Sequence, residues 1–268
     1  MTKGSVQISN AQYHADPAIN ASKLKTINAH GARAYWNCFI NPDRPEKKPT
    51  PAMLLGTLTH AAVLEPELFE KEFTVVSSRN TKKGKEEAKE AEEKGLTAVT
   101  QSDWDLALRM RKSVTSDKEA SSLLTNGVAE KSWWQDDEKT GLTMKARTDW
   151  FTGDTIVDLK TSRSGASPKE FAKAVANFSY HLQAQHYLNV CGVKRFIFLV
   201  VQSEFPFDTA LYELDEDAMR EGQRLCREGL DRIAECTLMD HWPHHSEEEG
   251  IQTLSLPRWA FPPTPTKK

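Results

Sequence analysis

Between Lys145 and Ser162 the sequence runs KARTDWFTGDTIVDLKTS, which brings two aspartates, an arginine and a lysine within reach of one another. The stretch reads as two short alternating strands joined by Gly153-Asp154, a pair suited to a tight two-residue hairpin turn. With that turn Thr152 pairs with Thr155, Phe151 with Ile156 and Trp150 with Val157. Continuing the count sets Asp149 opposite Asp158 and Arg147 opposite Lys160, all four on one face. Two carboxylates about 5 Å apart across a strand pair repel, and a divalent cation between them removes that cost. Oxygen ligands of this kind favour Mg²⁺ or Mn²⁺ over zinc or copper. Lys160 adds a positive charge two residues on, where it could hold a phosphate or activate a water. A solvated hairpin face of mixed charge is the ordinary alternative. Ile156, Val157 and Leu159 put apolar residues on both faces of the second strand, which favours burial instead. A buried Asp and Lys then need partners or a metal.

The elements that must carry this hairpin follow from pattern. Asn20 or Ser22 can cap a first helix, which continues through Ala32–Phe39. Residues 41–51, with four prolines, form a loop. Ala52–Leu64 is a strongly apolar helix in which His60 lies one turn from Gly56, leaving space beside the imidazole. Such a histidine is commonly a satisfied core group. Thr81–Lys94 is a charge-dense, solvated helix, and Gln101–Thr115 another. A strand over 129–135, opening near Glu130, joins the two hairpin strands (142–151 and 155–161) in a meander. Helices over 167–177 and 180–190 follow; the second carries Gln183 and Tyr187 four apart on one face, with Tyr180 three before Gln183. Strands Arg195–Val201 and Thr209–Leu214 extend the sheet, the first apolar enough to be central, and a helix capped by Asp215 runs to Cys236. The histidines of HWPHH (241–245) lack ordered ligand spacing and read as surface residues.

At 268 residues, with no internal repeat or long linker, the chain is expected to fold as one domain. Its expected parts are a mainly helical region over 1–128, a sheet core over 129–236 and a tail over 237–268. No apolar run approaches the ~20 residues that span a bilayer, and the opening MTKGSVQISN lacks a signal peptide's apolar core. No membrane association and a cytoplasmic location are therefore expected. The four cysteines form no CxxC pair, which speaks against zinc, and their late spacing speaks against an iron–sulfur cluster. A net charge of −3 excludes a surface broadly coated with phosphate-binding groups but leaves room for a local basic channel. No GxxxxGK[ST] is present, so nothing points to nucleotide-driven movement.

Four ordered segments, GTLTH (56–60), ARTDW (146–150), VDLKT (157–161) and HLQAQHY (181–187), resemble the motif series of the RecB-type branch of the PD-(D/E)xK nucleases. The likeness to the nuclease domain of RecE-type exonucleases extends through YHADPAIN (13–20), LGTLTHAAVLEPELF (55–69) and TLSLPRWA (253–260). Two positions depart from the family pattern. Thr148 stands where proline usually precedes the first Asp, and Asp158 replaces the commoner Glu with a shorter carboxylate. The resemblance implies an α/β fold with a central mixed sheet flanked by helices and a helical N-terminal region. It implies that His60, Asp149, Asp158 and the Leu159 carbonyl ligate Mg²⁺, with Mn²⁺ able to substitute, and that Lys160 positions or activates the attacking water. Gln183 and Tyr187 would orient Lys160, the DNA backbone or both, and Glu130 would stand near the metals. Arg147, suited to a bidentate phosphate contact, and Arg163 are the candidate DNA contacts. The implied activity is a Mg²⁺-dependent, ATP-independent 5′-to-3′ exonuclease on linear double-stranded DNA. Toroidal trimers or tetramers, and a RecT-like single-strand annealing partner, are implied with it.

Overall fold

The computed structural model describes residues 4–45, 49–78, 81–244, 251 and 253–261. The chain opens with β1 (Gly4–Val6) and α1 (Asn10–Ala15), the latter closed by a Ser9–Gln12 capping box. Apolar periodicity announces neither element, because α1 is six residues long and buries only Tyr13. Next come α2 (Ala21–Phe39) behind its Asn20 cap, α3 (Pro51–Leu64) behind Thr50, and α4 (Pro66–Glu72). A kink in α2 falls at Gly31, whose φ of 78 needs a residue without a Cβ. Then β2 (Phe73–Val76), α5 (Lys82–Glu93), β3 (Thr97–Thr100), α6 (Gln101–Ser116) and α7 (Lys118–Leu123) complete the first half. Strands β2 and β3 pair in parallel as a separate small sheet. Four residues each give them too little alternation to read in sequence.

The second half holds β4 (Val128–Asp136), β5 (Thr143–Phe151), β6 (Thr155–Ser162), α8 (Pro168–Asn177), α9 (Tyr180–Cys191), β7 (Arg195–Gln202), β8 (Thr209–Tyr212) and α10 (Glu216–Met239). Six strands form one sheet in the order β1-β4-β5-β6-β7-β8. Every pairing is antiparallel except β6 with β7, which α8 and α9 connect. From Phe196 to Val201, β7 is buried throughout, as a central strand should be. Leu24 and Ile27 of α2 meet Leu182 of α9, Leu230 of α10 and Met144 of β5 in one core. Met110 and Val114 of α6 and Leu64 of α3 pack with Val157 and Leu159 of β6 in another. The mixed sheet therefore lies between helical layers, as expected.

The hairpin at its heart is only half as expected. Trp150 pairs with Val157, Phe151 with Ile156, and Thr152 N–H donates to Thr155 O at 3.0 Å. There the ladder stops. Asp149 does not pair with Asp158, nor Arg147 with Lys160; Arg147 lies across from Ser132 on β4. Instead β6 pairs with β7 along its whole length, from Thr155 to Ser162. A tight turn sets register only close to itself, and strand twist parts the two strands beyond it. The freed Leu159 N–H is taken by the Asp149 carboxylate at 2.8 Å.

Behind the sheet, His186 of α9 is fully buried and bonds the Lys145 carbonyl through Nε2 at 2.9 Å. Burial holds its pKa down to about 4. The unfolded chain therefore takes up a proton near pH 6.5 that the folded protein resists until about pH 4. Stability is full above pH 6.5 and falls as pH drops between those values, by about 3 kcal/mol from this group at ~1.4 kcal/mol per unit. By chemical denaturation, the stability of the wild type relative to a His186→Gln protein should fall by about 2 kcal/mol between pH 7.5 and 5.

Candidate metal centre

The parting of β5 and β6 makes an opening into which three elements send donors. Asp149, near the end of β5, meets His60 of α3, with Nδ1 3.5 Å from Oδ2. The His60 Nε2 lies 2.8 Å from the Leu159 carbonyl. With Nε2–H donating there, Nδ1 is left as the lone-pair nitrogen on the Asp149 side. The third donor is Glu130. The β4–β5 register that pairs Ala129 with Trp150 and Lys131 with Thr148 leaves Glu130 across from Asp149. At Glu130 φ is +52, a left-handed conformation in a non-glycine residue that interrupts the ladder at this position. Ligating atoms of His60, Glu130 and Asp149 all lie within 4.8 Å of one another. Asp149 thus has two like-charged neighbours, Glu130 across from it on β4 and Asp158, which is not its ladder partner on β6. Burial pushes the Asp149 carboxyl up to about 7, against the pull of His60 and with a further push from Asp158. Two carboxylates and one imidazole at this spacing fit a hard divalent cation.

Asp158, the other expected ligand, has both oxygens engaged. Lys160 Nζ pairs with Oδ2, and Gln183 Nε2 donates to Oδ1 at 2.8 Å. Burial alone would lower the Lys160 pKa, but Asp158 and Asp149 outweigh it and hold the ammonium above the ordinary lysine value. Lys160 lies 5.0 Å from the centre of the Tyr180 ring. Gln183 therefore acts on Asp158 rather than directly on Lys160, and Tyr180 is the aromatic partner of the lysine. Tyr187, one turn on, is set edge-to-face against Phe196 at 6.0 Å. Burial raises its hydroxyl pKa far above the usual value.

Sequence pattern did not mark the cleft wall that the first residues build. A cleft of about 630 Å³ beside the donors is lined by Ile8, Gly56, His60, Glu65, Glu130 and Arg147, among others. A Cβ at Gly56 would meet nothing within 4 Å, so the expected space beside His60 is present. Arg147, expected to grip phosphate, spends its guanidinium on Glu130 Oε2 at 2.5 Å and the Ile8 carbonyl at 3.1 Å. Its shown work is to hold Glu130 and the leading segment. The neighbouring Lys145 is buried, with Nζ donating to the Tyr13 and Asp16 carbonyls at 2.5 and 2.7 Å. The S-x-x-Q spacing over Ser9–Gln12 is a local sequence signal for the start of this segment. Arg163 is not drawn into the centre; it is exposed and paired with Glu204 at 2.8 Å. Of the HWPHH segment, His245 lies outside the described residues, and the described donors hold no metal group other than the trio above. No described helix is long and apolar enough to cross a membrane.

Residues 21–253 match the model of a family described as a PDDEXK-like domain of unknown function (DUF3799). No curated protein sequence matches the chain. Among solved structures, it resembles a candidate exonuclease from Eubacterium rectale with a TM-score of 0.65 and 14% identity, over 94% of this chain and 97% of that one. At that identity the likeness shows a shared fold. A phage-related exonuclease from Haemophilus somnus 129PT is matched at 12% identity over 83% of this chain and 96% of that one, but a TM-score of 0.34 carries no argument.

Proposed function

Because the chain belongs to the PDDEXK-like family described as DUF3799, we propose that it is a divalent-metal-dependent nuclease acting from the ends of linear double-stranded DNA. The observation that carries this reading is the juxtaposition of the His60–Glu130–Asp149 trio with the buried Asp158–Lys160 pair. Mg²⁺ is the proposed ion, with Mn²⁺ able to substitute. When bound, the ion supplies Lewis acidity at a phosphate oxygen and lowers the pKa of a coordinated water. Asp149 and Glu130 would hold it with charge, and His60 through Nδ1. The Leu159 carbonyl and Asp158 complete the proposed ligand set; Asp158 would join by releasing Lys160 or Gln183. Lys160 stays protonated, so its part is a fixed positive charge that orients water and steadies charge developing on the phosphate. Taking a proton from water is work for another base. Arg163 remains a proposed surface contact to the DNA backbone.

The proposal extends to direction and assembly: cleavage from 5′ to 3′ without ATP, by a closed ring of three or four subunits. The 3′ single strands left behind suit an annealing protein of the RecT type. A ring would let a chain of net charge −3 stay on a polyanion by enclosing it. Light scattering should report a trimer or tetramer, and a monomer that degrades long duplexes without dissociating would overturn the ring. Digestion of 5′- and 3′-labelled linear duplex, beside covalently closed DNA, tests the activity. Short 5′-labelled products, intact closed circles and silence in EDTA are expected. Cutting of the closed circles would make it an endonuclease, and no cleavage with Mg²⁺ or Mn²⁺ would end the nuclease reading.

The open space over Gly56 gives a steric test. Gly56→Phe starts from a Cβ with no neighbour within 4 Å, adds a ring at a residue that lines the cleft, and replaces a poor helix former. The melting temperature should hold or rise, while duplex cleavage falls at least tenfold. Unchanged cleavage would mean that substrate does not pass His60 on this side.

A further inference from the structure

A further, half-buried cation lies near this centre. Lys25 projects from α2, and its Nζ donates to Gln183 Oε1 at 3.1 Å. The other end of the same amide donates to Asp158 Oδ1 at 2.8 Å. Lys25 and Lys160 lie 5.1 and 5.0 Å from the centre of the Tyr180 ring. A polar chain thus runs from Lys25 through Gln183 and Asp158 to Lys160, with one aromatic ring serving both ammonium groups. We propose that Lys25 is a positioning residue: it pins the carbonyl end of the Gln183 amide, so that the amide nitrogen stays on Asp158 and Asp158 stays aimed at Lys160.

An amide has two ends of nearly equal shape and opposite polarity. A carboxylate on one side and an ammonium on the other admit one orientation and oppose rotation away from it. Without Lys25 the carbonyl end loses its donor from α2, and the nearly inaccessible Asp158 carboxylate (1% exposed) depends on a loosely held neutral donor. Lysine can usually carry its charge out to water along its flexible stem. Here it points inward, and burial, with a push from Lys160, lowers its pKa to about 8. That cost is offset by the Gln183 bond and by attraction to Asp158. The arrangement also ties α2, in the helical first half of the chain, to the end of β6 that bears the reactive groups.

The kinetic arm of the test rests on the nuclease reading; a second arm does not. Lys25→Met, Gln183→Leu and the double substitution are compared at saturating duplex with Mg²⁺, and end binding is measured with Ca²⁺. Lys25→Met should lower kcat ~10–100-fold, the range for partners that support a metal site, with KM and end binding little changed. Lys25→Arg, which keeps charge and donor, should recover part of the rate. The double substitution should be no slower than Gln183→Leu, since both act on one link. Multiplicative losses with weaker end binding would make Lys25 a phosphate contact and overturn the proposal, as would a wild-type rate. In the second arm the Gln183 side-chain amide protons are followed by ¹⁵N NMR in metal-free protein. Lys25→Met should move them toward free-amide positions, whereas unmoved signals would overturn the proposal even if the wild type cleaves no DNA. Melting temperatures verify folding, and if Lys25→Met does not fold, Lys25→Ala takes its place in both arms.

Discussion

Lys160→Ala is expected to lower kcat on saturating duplex DNA by ~10²–10³, the scale for losing one electrostatic stabiliser of a transition state. Affinity for DNA ends, measured with Ca²⁺, should change little, because one ammonium facing a buried carboxylate adds little to a long phosphate track. The pairing with Asp158 brings a second consequence. With Lys160 gone, Asp158 keeps only the Gln183 amide, and removing one partner of a buried ion pair costs ~3–5 kcal/mol. The variant should therefore melt lower, and its rate must be read at a temperature where it is folded. Lys160→Ala with Asp158→Asn should recover most of that stability and none of the rate. A wild-type kcat for folded Lys160→Ala would leave Lys160 as a structural counter-ion.

Asp149→Asn should abolish cleavage and yet stabilise the metal-free protein at alkaline pH. Burial raises the Asp149 carboxyl from 3.8 to about 7 in the folded state. Its stabilising contribution is full below pH ~4 and is lost as pH rises through about 7, since the folded protein must then ionise a group that the unfolded chain ionises freely. At ~1.4 kcal/mol per unit the loss reaches a few kcal/mol. Asparagine cannot ionise, and its carbonyl can still accept the Leu159 N–H. The substituted protein should melt above wild type at pH 8 in EDTA, with the gap shrinking by pH 5. Mg²⁺ or Mn²⁺ should raise the wild-type melting temperature and leave Asp149→Asn unmoved, because a cation stabilises only the state that binds it. Equal shifts in both proteins, or equal melting at pH 8, would remove Asp149 from the metal centre.

Sequence alone determined the elements whose periodicity runs over several turns or strand alternations. The helices around His60 and Gln183, the continuously apolar β7 and the Gly153-Asp154 turn all stand where local pattern puts them. Ordered motifs likewise singled out His60, Asp149, Asp158, Lys160 and Gln183, which the fold gathers around one cleft. What only tertiary structure decided is which of these residues touch. Register counted from the turn holds for two pairs and then fails, since strand twist draws β6 to β7 and leaves β5 to β4. That divergence sets Glu130 across from Asp149 and gives Asp158 to Lys160 and Gln183. Arg147 and Lys160, adjacent by counting, go to different partners, one to Glu130 and the leading segment, the other to Asp158 and Tyr180. Lys25 carries no mark in the sequence at all: a single lysine in a capped helix looks solvent-bound until α2 packs on α9, 158 positions along the chain from it. Local pattern reports which face of an element is apolar, whereas contacts between elements are set by how several such faces close on one core.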